Sequence, residues 1–455
     1  MRRMSAVVLA FALATPGVAS RPPARAQERP PNILVIVTDD QRAGETMSVM
    51  PQTLKYFASE GIDFPNAIAT TPVCCPSRAS IFTGKYAHNH DVRSNADSEA
   101  HNLDQGTTVQ HYLQEKAFYR TGIVGKYLNG WNINEPPPNF DEYAITRGGY
   151  YKGRFGVGVD GVQKVRRDFG YSTNFVRRRS TRFIQRAESN DDQPWLLYVT
   201  PFAPHNPSDP PLRYLRARVP PFELNPAMVE EDLSDKPPQY LEYATPFDRS
   251  FQGLRRRRML RTLMPVDEMV HRLMKTLNRT EESNTLVFFM SDNGFMWGEH
   301  GLSAKATPYD PSISIPLMMR WEGRLTPSRD ERLAANIDIA PTIMDATDVE
   351  PDADMDGRSL LQPWERTSIL TEVYGAISRP ELRWASVLAP DYQYVEYYGG
   401  DETVTRFREY YDLTTDPWQL ENLLGDDDTS NDPNTASLSA QLAAYRTCPL
   451  LVPCP

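Results

Sequence analysis

A run of five apolar residues near the N-terminus, Ile33-Leu34-Val35-Ile36-Val37, limits most strongly what this chain can fold into. A continuous and largely β-branched run predicts a strand covered on both faces, because a strand with one solvated face alternates polar with apolar residues. Similar runs recur at Thr121–Gly125, Trp195–Thr200 and Thr285–Met290. Helical patterns lie between them, the clearest of which is formed by Val266, Met269, Val270, Leu273 and Leu277. Strands that alternate with helices predict an α/β fold with a large, doubly wound and mostly parallel sheet flanked by helices.

The pattern changes near Ser368, where short apolar segments follow one another with tight turns between them. These segments are Ile369–Tyr374, Trp384–Leu388, Tyr392–Tyr398 and Phe407–Leu413. An acidic stretch, Gly425–Pro433, then precedes a predicted last helix from Ala436 to Tyr445. We therefore predict a large domain over residues 27–365 and a smaller C-terminal subdomain over residues 366–455, built on an antiparallel sheet and a helix.

The N-terminal segment, residues 1–26, has the organisation of an export signal. Arg2-Arg3 forms a short basic region, Met4–Ala14 is mostly apolar, and Ala24-Arg25-Ala26 offers a cleavage site, with Val18-Ala19-Ser20 as an alternative. The apolar run is too short to span a bilayer comfortably, and we expect no membrane span elsewhere. We expect this segment to be a signal peptide and the protein to be exported, to the periplasm, the cell surface or the medium.

The formal net charge of −10 argues against a nucleic-acid partner, because the long-range field repels polyanions. An anionic ligand would therefore require positive charge concentrated in one pocket. Two basic runs, Arg177–Arg179 and Arg255–Arg258, fall in predicted helices, and we expect them to be solvated helix faces rather than a polyanion site.

The four cysteines are not spaced like a zinc site or a disulfide scaffold. Cys74 and Cys75 are adjacent in sequence, and neighbouring cysteines rarely pair with each other. Cys448 and Cys454 could close a small terminal loop in an oxidising compartment.

Polar side chains follow two of the predicted strands at the point where each strand ends. Asp39-Asp40 follows the first strand, and Asp292-Asn293 follows Thr285–Met290. Parallel strands present such ends at one edge of the sheet, which is where ligands bind in doubly wound folds. All four side chains supply hard oxygen atoms, which suit Ca²⁺ or Mg²⁺ better than zinc or copper. Either pair alone would be interpreted as a turn or a helix cap.

The segment Cys74–Gly84, CCPSRASIFTG, carries the most specific pattern in the chain. Its chemistry alone would support a reactive cysteine near a cation, although an isolated cysteine of this kind is by default a buried structural residue. The pattern C-x-P-S-R-x-x-x-x-T-G resembles the signature of the sulfatase family. The longer string Cys74–Val92 resembles N-acetylglucosamine-6-sulfatases and extracellular heparan-sulfate endosulfatases. The resemblance extends from about Pro31 to Leu423 and includes the segments YSTNF, FAPHNP, VDEMV, SDNGFMWGEHG and YYDLTTDPWQLENL.

The resemblance implies a catalytic domain over residues 27–365 and a nucleophile made after synthesis. In the family, the signature cysteine is oxidised to Cα-formylglycine, and this role falls on Cys74, which makes a formylglycine-generating enzyme a partner during maturation. Cys75 occupies a variable position and is expected only to pack. Calcium, with magnesium as the alternative, is implied as the cofactor, and its expected ligands are Asp39, Asp40, Cys74 as formylglycine, Asp292 and Asn293.

The resemblance also assigns positive and proton-transferring groups around the nucleophile. Arg78 is expected to orient formylglycine, and Lys126, His205 and Lys305 are expected to bind the sulfate group, with His205 or Lys305 protonating the departing alcohol. Many arylsulfatases carry a histidine where Leu128 stands, and this departure favours the sugar-sulfatase branch. Three further histidines are expected to line the substrate pocket: His88, His90 and His300.

The predicted function is hydrolysis of carbohydrate sulfates, such as N-acetylglucosamine 6-sulfate, through a hydrated formylglycine and a bound calcium ion. The alternatives are an arylsulfatase of broad specificity and a phosphonate monoester or phosphodiester hydrolase of the same superfamily. A protein that binds sulfated glycans without catalysis is a third alternative. An enzyme that uses the unmodified thiol of Cys74 is disfavoured, because no matched base accompanies it and the metal ligands are oxygen atoms.

Overall fold

Eight segments are described by the computed structural model. They are residues 29–151, 153–167, 170–189, 193–278, 284–376, 379–400, 404–426 and 428–448. The predicted signal peptide, residues 1–26, lies outside them.

The described segments contain two layers of helices around a large sheet, a small second sheet of four strands, and a two-stranded hairpin. The strands are β1 (Asn32–Thr38), β2 (Ile62–Asp63), β3 (Arg120–Gly125), β4 (Glu142–Thr146), β5 (Arg154–Val159), β6 (Val162–Arg167), β7 (Trp195–Thr200), β8 (Thr285–Ser291), β9 (Met296–Trp297), β10 (Ser303–Ala304), β11 (Leu317–Trp321), β12 (Ser328–Arg329), β13 (Ile369–Ala376), β14 (Arg379–Leu388), β15 (Tyr392–Tyr398) and β16 (Thr405–Asp412). The α-helices are α1 (Pro51–Phe57), α2 (Cys74–Thr83), α3 (Ala87–His90), α4 (Val109–Ala117), α5 (Ser172–Ser189), α6 (Pro238–Leu241), α7 (Arg249–Leu277), α8 (Asp310–Ile313), α9 (Ile339–Thr347) and α10 (Thr435–Arg446). Short 3-10 helices occupy Gly44–Val49, Glu99–His101, Gln105–Thr107, Leu212–Tyr214, Pro226–Met228, Glu299–Gly301 and Asn336–Asp338.

The large sheet has ten strands in the order β12-β2-β11-β8-β1-β7-β3-β4-β5-β6. Its centre is parallel, because β1 pairs in parallel with both β7 and β8, and β3 pairs in parallel with β7 and β4. The antiparallel strands β11 and β5 extend it on either side. The predicted doubly wound, mostly parallel sheet is confirmed.

Strand β1 lies at the centre because both of its faces are apolar. Alternate residues Ile33, Val35 and Val37 pack with helices α2, α4 and α9 on one face of the sheet. Leu34 and Ile36 pack with α1, α5 and α7 on the other face. Every residue of β1 is buried, as a strand covered on two faces requires.

The small sheet has the order β13-β14-β15-β16 and is antiparallel throughout. It buries one apolar cluster together with α10 and with residues of the large domain, among them Ile68, Val73 and Tyr309. The predicted C-terminal antiparallel sheet and last helix are therefore confirmed, and the domain limits of 27–365 and 366–455 remain a prediction. Cys448 is disulfide-bonded, and its predicted partner Cys454 lies outside the described residues.

Helix α7 contains the predicted apolar face, and Val266, Met269, Val270, Leu273 and Leu277 are all buried. The basic run Arg255–Arg258 lies on the same helix. Its predicted role as a solvated helix face is wrong for Arg256. That side chain is fully buried and contacts the Glu45 carboxylate and the carbonyls of Pro220 and Pro221. In the part of the chain that the structure describes, no helix is long and apolar enough to cross a membrane.

Candidate active site

Four neighbouring strands of the large sheet, β8, β1, β7 and β3, end at the same edge. The predicted site residues follow directly from these ends. Asp292-Asn293 follows β8, Asp39-Asp40 follows β1, Lys126 follows β3, and His205 lies in the loop after β7. Parallel pairing therefore brings together side chains that are distant in the sequence, as the carboxyl ends of a doubly wound sheet are expected to do.

Helix α2 begins at Cys74, and all of its residues are buried. Its N-terminus presents Cys74 to the carboxylates at the sheet edge, with Sγ 3.3 Å from Asp39 Oδ1 and 3.9 Å from Asp40 Oδ1. The partial positive charge of a helix N-terminus favours negative charge on a group placed there. The helix ends at Thr83 and is capped by Gly84, whose φ of 71° is readily adopted by glycine.

Three residues with no role in our sequence interpretation hold α2 in place. Asn95 Oδ1 accepts a hydrogen bond from the Cys75 amide at 2.8 Å. Asn336 Nδ2 donates to Ser77 Oγ at 2.9 Å, and Ser77 Oγ contacts the Asp292 carbonyl. Ser77 lies within the signature and could have been singled out, whereas the two asparagines carry no local sequence signal.

Arg78 is buried and ties α2 to the end of β8. Its Nε donates to Asp292 Oδ2 at 2.9 Å, and one terminal nitrogen donates to the Lys126 carbonyl at 3.0 Å. Burial alone would lower the pKa of Arg78, but the charges of Asp292 and Asp39 raise it above its ordinary value. The guanidinium is thus a permanent buried cation beside Cys74.

Lys126 pairs with Asp39 in a two-oxygen contact, with Nζ 2.9 and 2.8 Å from the two carboxylate oxygens. Burial would raise the pKa of Asp39, and Lys126 with three further basic groups lowers it well below its usual range instead. Gly125, which precedes Lys126, allows the backbone at the end of β3 to lie close to the end of β7. It has a φ of 122°, and a Cβ there would lie 2.0 Å from the Thr200 carbonyl oxygen.

Lys305 reaches the site from the segment after the β9–β10 hairpin. Its Nζ lies 2.6 Å from Cys74 Sγ and 3.3 Å from Asn293 Oδ1, and it contacts Asp40 Oδ1. Burial would lower the pKa of Lys305, but the carboxylate of Asp40 holds it well above its ordinary value. The ammonium group therefore places a positive charge among three of the predicted metal ligands.

Hydrogen bonds join the predicted metal ligands at the end of β1 to those at the end of β8. The Asp40 amide donates to Asp292 Oδ1 at 3.1 Å, and Asn293 Nδ2 donates to Asp40 Oδ1 at 2.9 Å. Asp39, Asp40, Asp292 and Asn293 are all buried. Hard oxygen atoms thus converge from the ends of two adjacent strands.

His205 lies on the more open side of the site, with 30% of its side chain exposed. Its Nδ1 lies 2.8 Å from the Asn206 carbonyl, which requires a proton on Nδ1 and leaves Nε2 facing the site. Nε2 is 3.7 Å from Asp40 Oδ2. Tyr150 fixes the loop by donating to the His205 carbonyl at 2.8 Å.

The ligand atoms of Asp39, Asp40, Cys74 and His205 lie within 4.8 Å of one another, which is close enough to hold one metal ion. With a thiolate and an imidazole, this group would also suit a softer metal such as zinc. If Cys74 carries an oxygen atom instead of sulfur, carboxylate and amide oxygens dominate and the donor set fits calcium or magnesium. The identity of residue 74 therefore decides which metal the donor set favours.

The unmodified thiol of Cys74 is not activated in these surroundings. Burial and the charge of Asp39 raise its pKa to about 12, despite the nearby lysines. A thiol with that pKa is almost fully protonated at neutral pH, and the thiolate is the reactive form. The geometry therefore disfavours the alternative of an enzyme that uses the unmodified cysteine.

The three further histidines lie in polar contacts of their own. His90 is buried, with Nε2 3.1 Å from Ser80 Oγ and Nδ1 accepting from the Val92 amide at 3.1 Å. His300 Nδ1 lies 2.5 Å from Glu230 Oε2, and His88 Nδ1 lies 2.9 Å from Glu372 Oε1. Among the described residues, no hydrogen bond or ion pair joins these three rings to Cys74, Lys126 or Lys305, and their role in a substrate pocket remains a prediction.

Similarity to known proteins agrees with the geometry. The family model named Sulfatase matches residues 31–349, and a second one, N-sulphoglucosamine sulphohydrolase, C-terminal, matches residues 298–447. The extracellular sulfatase SULF-1 homolog of Drosophila melanogaster is 33% identical over 75% of this chain and 32% of its own length. The N-acetylglucosamine-6-sulfatase of Homo sapiens is 30% identical over 75% of this chain and 66% of its own length. The chain thus spans about a third of the fly protein and just under two thirds of the human one.

A solved structure has a similar fold over most of the chain. It is that of a protein in complex with its substrate D-glucosamine-2-N,6-O-disulfate, with a TM-score of 0.73 and 24% identity, covering 91% of this chain and 97% of that one. At that identity the likeness establishes the fold. The family match covers more than half of the chain and includes the Cys74 helix, the strand-end carboxylates and Lys305. The chain belongs to the sulfatase family.

Proposed function

We propose that this protein is an exported hydrolase of carbohydrate sulfate esters, which acts through a formylglycine made from Cys74 and a calcium ion. The observation that carries the proposal is the convergence of a buried residue 74 with carboxylates and cations at one sheet edge. Asp39, Asp40 and Asp292 are balanced by Arg78, Lys126 and Lys305. A divalent cation added to this balanced group leaves a net positive site, which suits an anionic sulfate ester.

The exposure of the site residues indicates from which side a sulfate group enters. His205 and Lys305 are partly exposed, at 30% and 14% of their side chains, whereas the Asp39 and Asp292 side chains are inaccessible. A sulfate ester therefore meets His205 and Lys305 first. The departing alcohol points back toward this open side, where either residue can deliver a proton to its oxygen.

The remaining roles follow from position. A formylglycine at position 74 would supply a geminal diol as nucleophile, and a cation held by Asp39, Asp40, Asp292 and Asn293 would lower the pKa of one of its hydroxyl groups. Arg78 holds α2 and Asp292 in fixed relation, so that residue 74 faces the carboxylates. Lys126 and Lys305 place positive charge where negative charge grows on the sulfate oxygens, and such preorganised charge is usually the largest contribution to rate.

A sugar substrate is supported by Leu128 and by the relatives. Leu128 is buried in the apolar core with Tyr127 and Trp131, so the position that holds a histidine in many arylsulfatases belongs to packing here. The human relative is named for N-acetylglucosamine 6-sulfate, and the chain shares 30% identity with it. We propose 6-sulfated glucosamine as the substrate class.

Kinetics on matched substrates tests this class. We expect N-acetylglucosamine 6-sulfate to be hydrolysed with a higher kcat/KM than an aryl sulfate whose leaving group has a similar pKa, because only the sugar gains contacts beyond the sulfate group. Matched leaving groups are needed, since activated aryl esters react fast on any sulfatase. Phosphate and phosphonate monoesters of the same alcohols complete the panel.

Each alternative gives a different outcome in this panel. Cleavage of unactivated aryl or alkyl sulfates, but of no sugar sulfate, would contradict the sugar assignment and leave a broad arylsulfatase. A higher kcat/KM for phosphonate or phosphodiester substrates would indicate a phosphonate monoester or phosphodiester hydrolase. Binding of sulfated sugars without hydrolysis, in protein that carries formylglycine and calcium, would indicate a glycan-binding protein.

Three further proposals concern maturation and location. We propose that a formylglycine-generating enzyme acts on the Cys74 segment and that the protein is exported to the periplasm, the cell surface or the medium. The extracellular relative in Drosophila melanogaster supports export. We also propose residues 27–365 as the catalytic domain and residues 366–455 as the C-terminal subdomain, since β13 begins the second sheet at Ile369.

A further inference from the structure

A groove lies along helix α7, next to the loop that follows His205. Its inner part is a cavity of about 310 Å³ lined by Asn206, Pro207, Ser208, Phe251, Leu254, Arg255 and Arg258. Asn206 directly follows His205, so one wall of the cavity is the loop that carries His205. A second cavity shares Leu254 and Arg258 and continues to Tyr151, Leu212 and Leu215. Together the two cavities extend from Asn206 to Leu215, which provides space beside the position of the reacting sulfate group.

The four arginines of the basic run on α7 have different surroundings, because successive helical residues point about 100° apart. Arg256 is buried against Glu45, and Arg258 pairs with Asp209. Arg257 is exposed. Arg255 is half-buried and faces the cavity.

Arg255 is held in position without a carboxylate partner among the described residues. Its guanidinium lies over the Phe295 ring, 4.4 Å from the ring centre, and Phe295 follows the Asp292-Asn293 pair by two residues. Burial lowers the pKa of Arg255, and the negative charge of Asp40 opposes that shift. An arginine stays charged under these conditions and offers several donors to an oxyanion.

The surroundings of Arg255 combine that charge with apolar surface. Phe251 is 58% exposed and Leu254 is 49% exposed, and both line the same cavity. Aliphatic and aromatic faces stack on the C–H faces of sugar rings, and an arginine binds a carboxylate or sulfate on the ring. A neutral or purely apolar ligand would leave the guanidinium partly desolvated and unpaired, which is unfavourable.

From this arrangement we infer that the groove is a second anion subsite, in which Arg255 binds the acidic group of the sugar unit next to the sulfated one. The inference rests on the proposed function and specifies its substrate class. The preferred substrate is then an acidic oligosaccharide rather than a single sulfated sugar. Arg255 determines specificity and does not contact the reacting sulfate group.

Calorimetric binding in the Cys74→Ala background tests the subsite without turnover. The ligands are a disaccharide of 6-sulfated N-acetylglucosamine joined to a uronic acid, and the same disaccharide with the carboxyl group reduced to an alcohol. We expect the disaccharide with the intact carboxyl group to bind about 10- to 100-fold more tightly than its reduced form, as for a charge-assisted hydrogen bond. Arg255→Gln should bring this ratio close to one, and the matched control Arg257→Gln should leave it unchanged.

Two outcomes would overturn the subsite. One is equal affinity for the two disaccharides before Arg255 is changed. The other is an equal loss of affinity for both ligands in Arg255→Gln, which would place Arg255 at the reacting sulfate group. Failure of the proposed function would look different, since the protein with Cys74 intact would then hydrolyse no sulfate ester, while the affinity ratio would still decide whether the subsite exists.

Discussion

Replacement of Cys74 by alanine is expected to lower kcat for sulfate-ester hydrolysis by at least about 10⁴-fold, as the loss of a covalent nucleophile does. Cys74 begins the buried helix α2 and faces Asp39, Asp40 and Lys305. No neighbouring side chain offers a group that could replace a diol at that position. Initial rates on N-acetylglucosamine 6-sulfate measure the effect.

Cys75 supplies the matched control, because it is the next residue and is equally buried. Its Sγ lies 3.8 Å from the Asn129 carbonyl and packs in the core, away from the carboxylates. Cys75→Ser should therefore retain much of the activity, since a serine hydroxyl can donate to the same carbonyl. Substantial turnover by Cys74→Ala, or equal losses in the two variants with folded protein, would contradict the role of Cys74.

Removal of the divalent cation is expected to lower kcat by about 10²-fold or more, because the ion supplies several kcal/mol of charge stabilisation in such sites. Calcium or magnesium should restore activity better than zinc after treatment with a chelator. The reason is the set of buried carboxylate and amide oxygens at Asp39, Asp40, Asp292 and Asn293. Activity and calcium affinity, measured on the same chelated protein, report the result.

A pair of variants refines the metal test. Asp292→Asn removes a negative charge from the site and should weaken calcium binding more than Asn293→Asp, which adds one. Asp292 also pairs with Arg78, so the readout is the calcium dissociation constant and not activity alone. Restoration by zinc alone would contradict the assignment and would indicate a site that uses the Cys74 sulfur and the His205 imidazole.

The parts of the fold predicted from the sequence are those that local pattern determines. β1 and β7 carry unbroken apolar runs, and both were predicted within one residue of their limits. β5 and β6 are not predicted, because β6 is the edge strand, β5 is its neighbour, and their sequences RFGVGV and VQKVRR have no long apolar run. The two-residue strands β2 and β12 are too short to leave any pattern.

The candidate site also contains residues that the local sequence predicts and residues that only tertiary structure brings together. The strand-end carboxylates follow from strand pattern and the rule for parallel sheets, and Cys74 from its signature. Lys305 is 231 residues from Cys74, and only the family resemblance related the two. Arg255 and Arg256 are neighbours of the same type, and no composition rule separates the buried arginine from the one that faces the groove. Their difference arises from the rotation of α7 against the loop at Phe295, which is a property of tertiary packing.

Peptide mass spectrometry of active protein is expected to show formylglycine at position 74. Trypsin should release Tyr56–Arg78, which contains Cys74 and Cys75 and no internal lysine or arginine. After alkylation of the thiols, the peptide from active protein should carry one alkyl group, on Cys75, and an aldehyde at position 74 that reacts with a hydrazine. Two alkyl groups on this peptide, in protein that hydrolyses sulfate esters, would contradict the account.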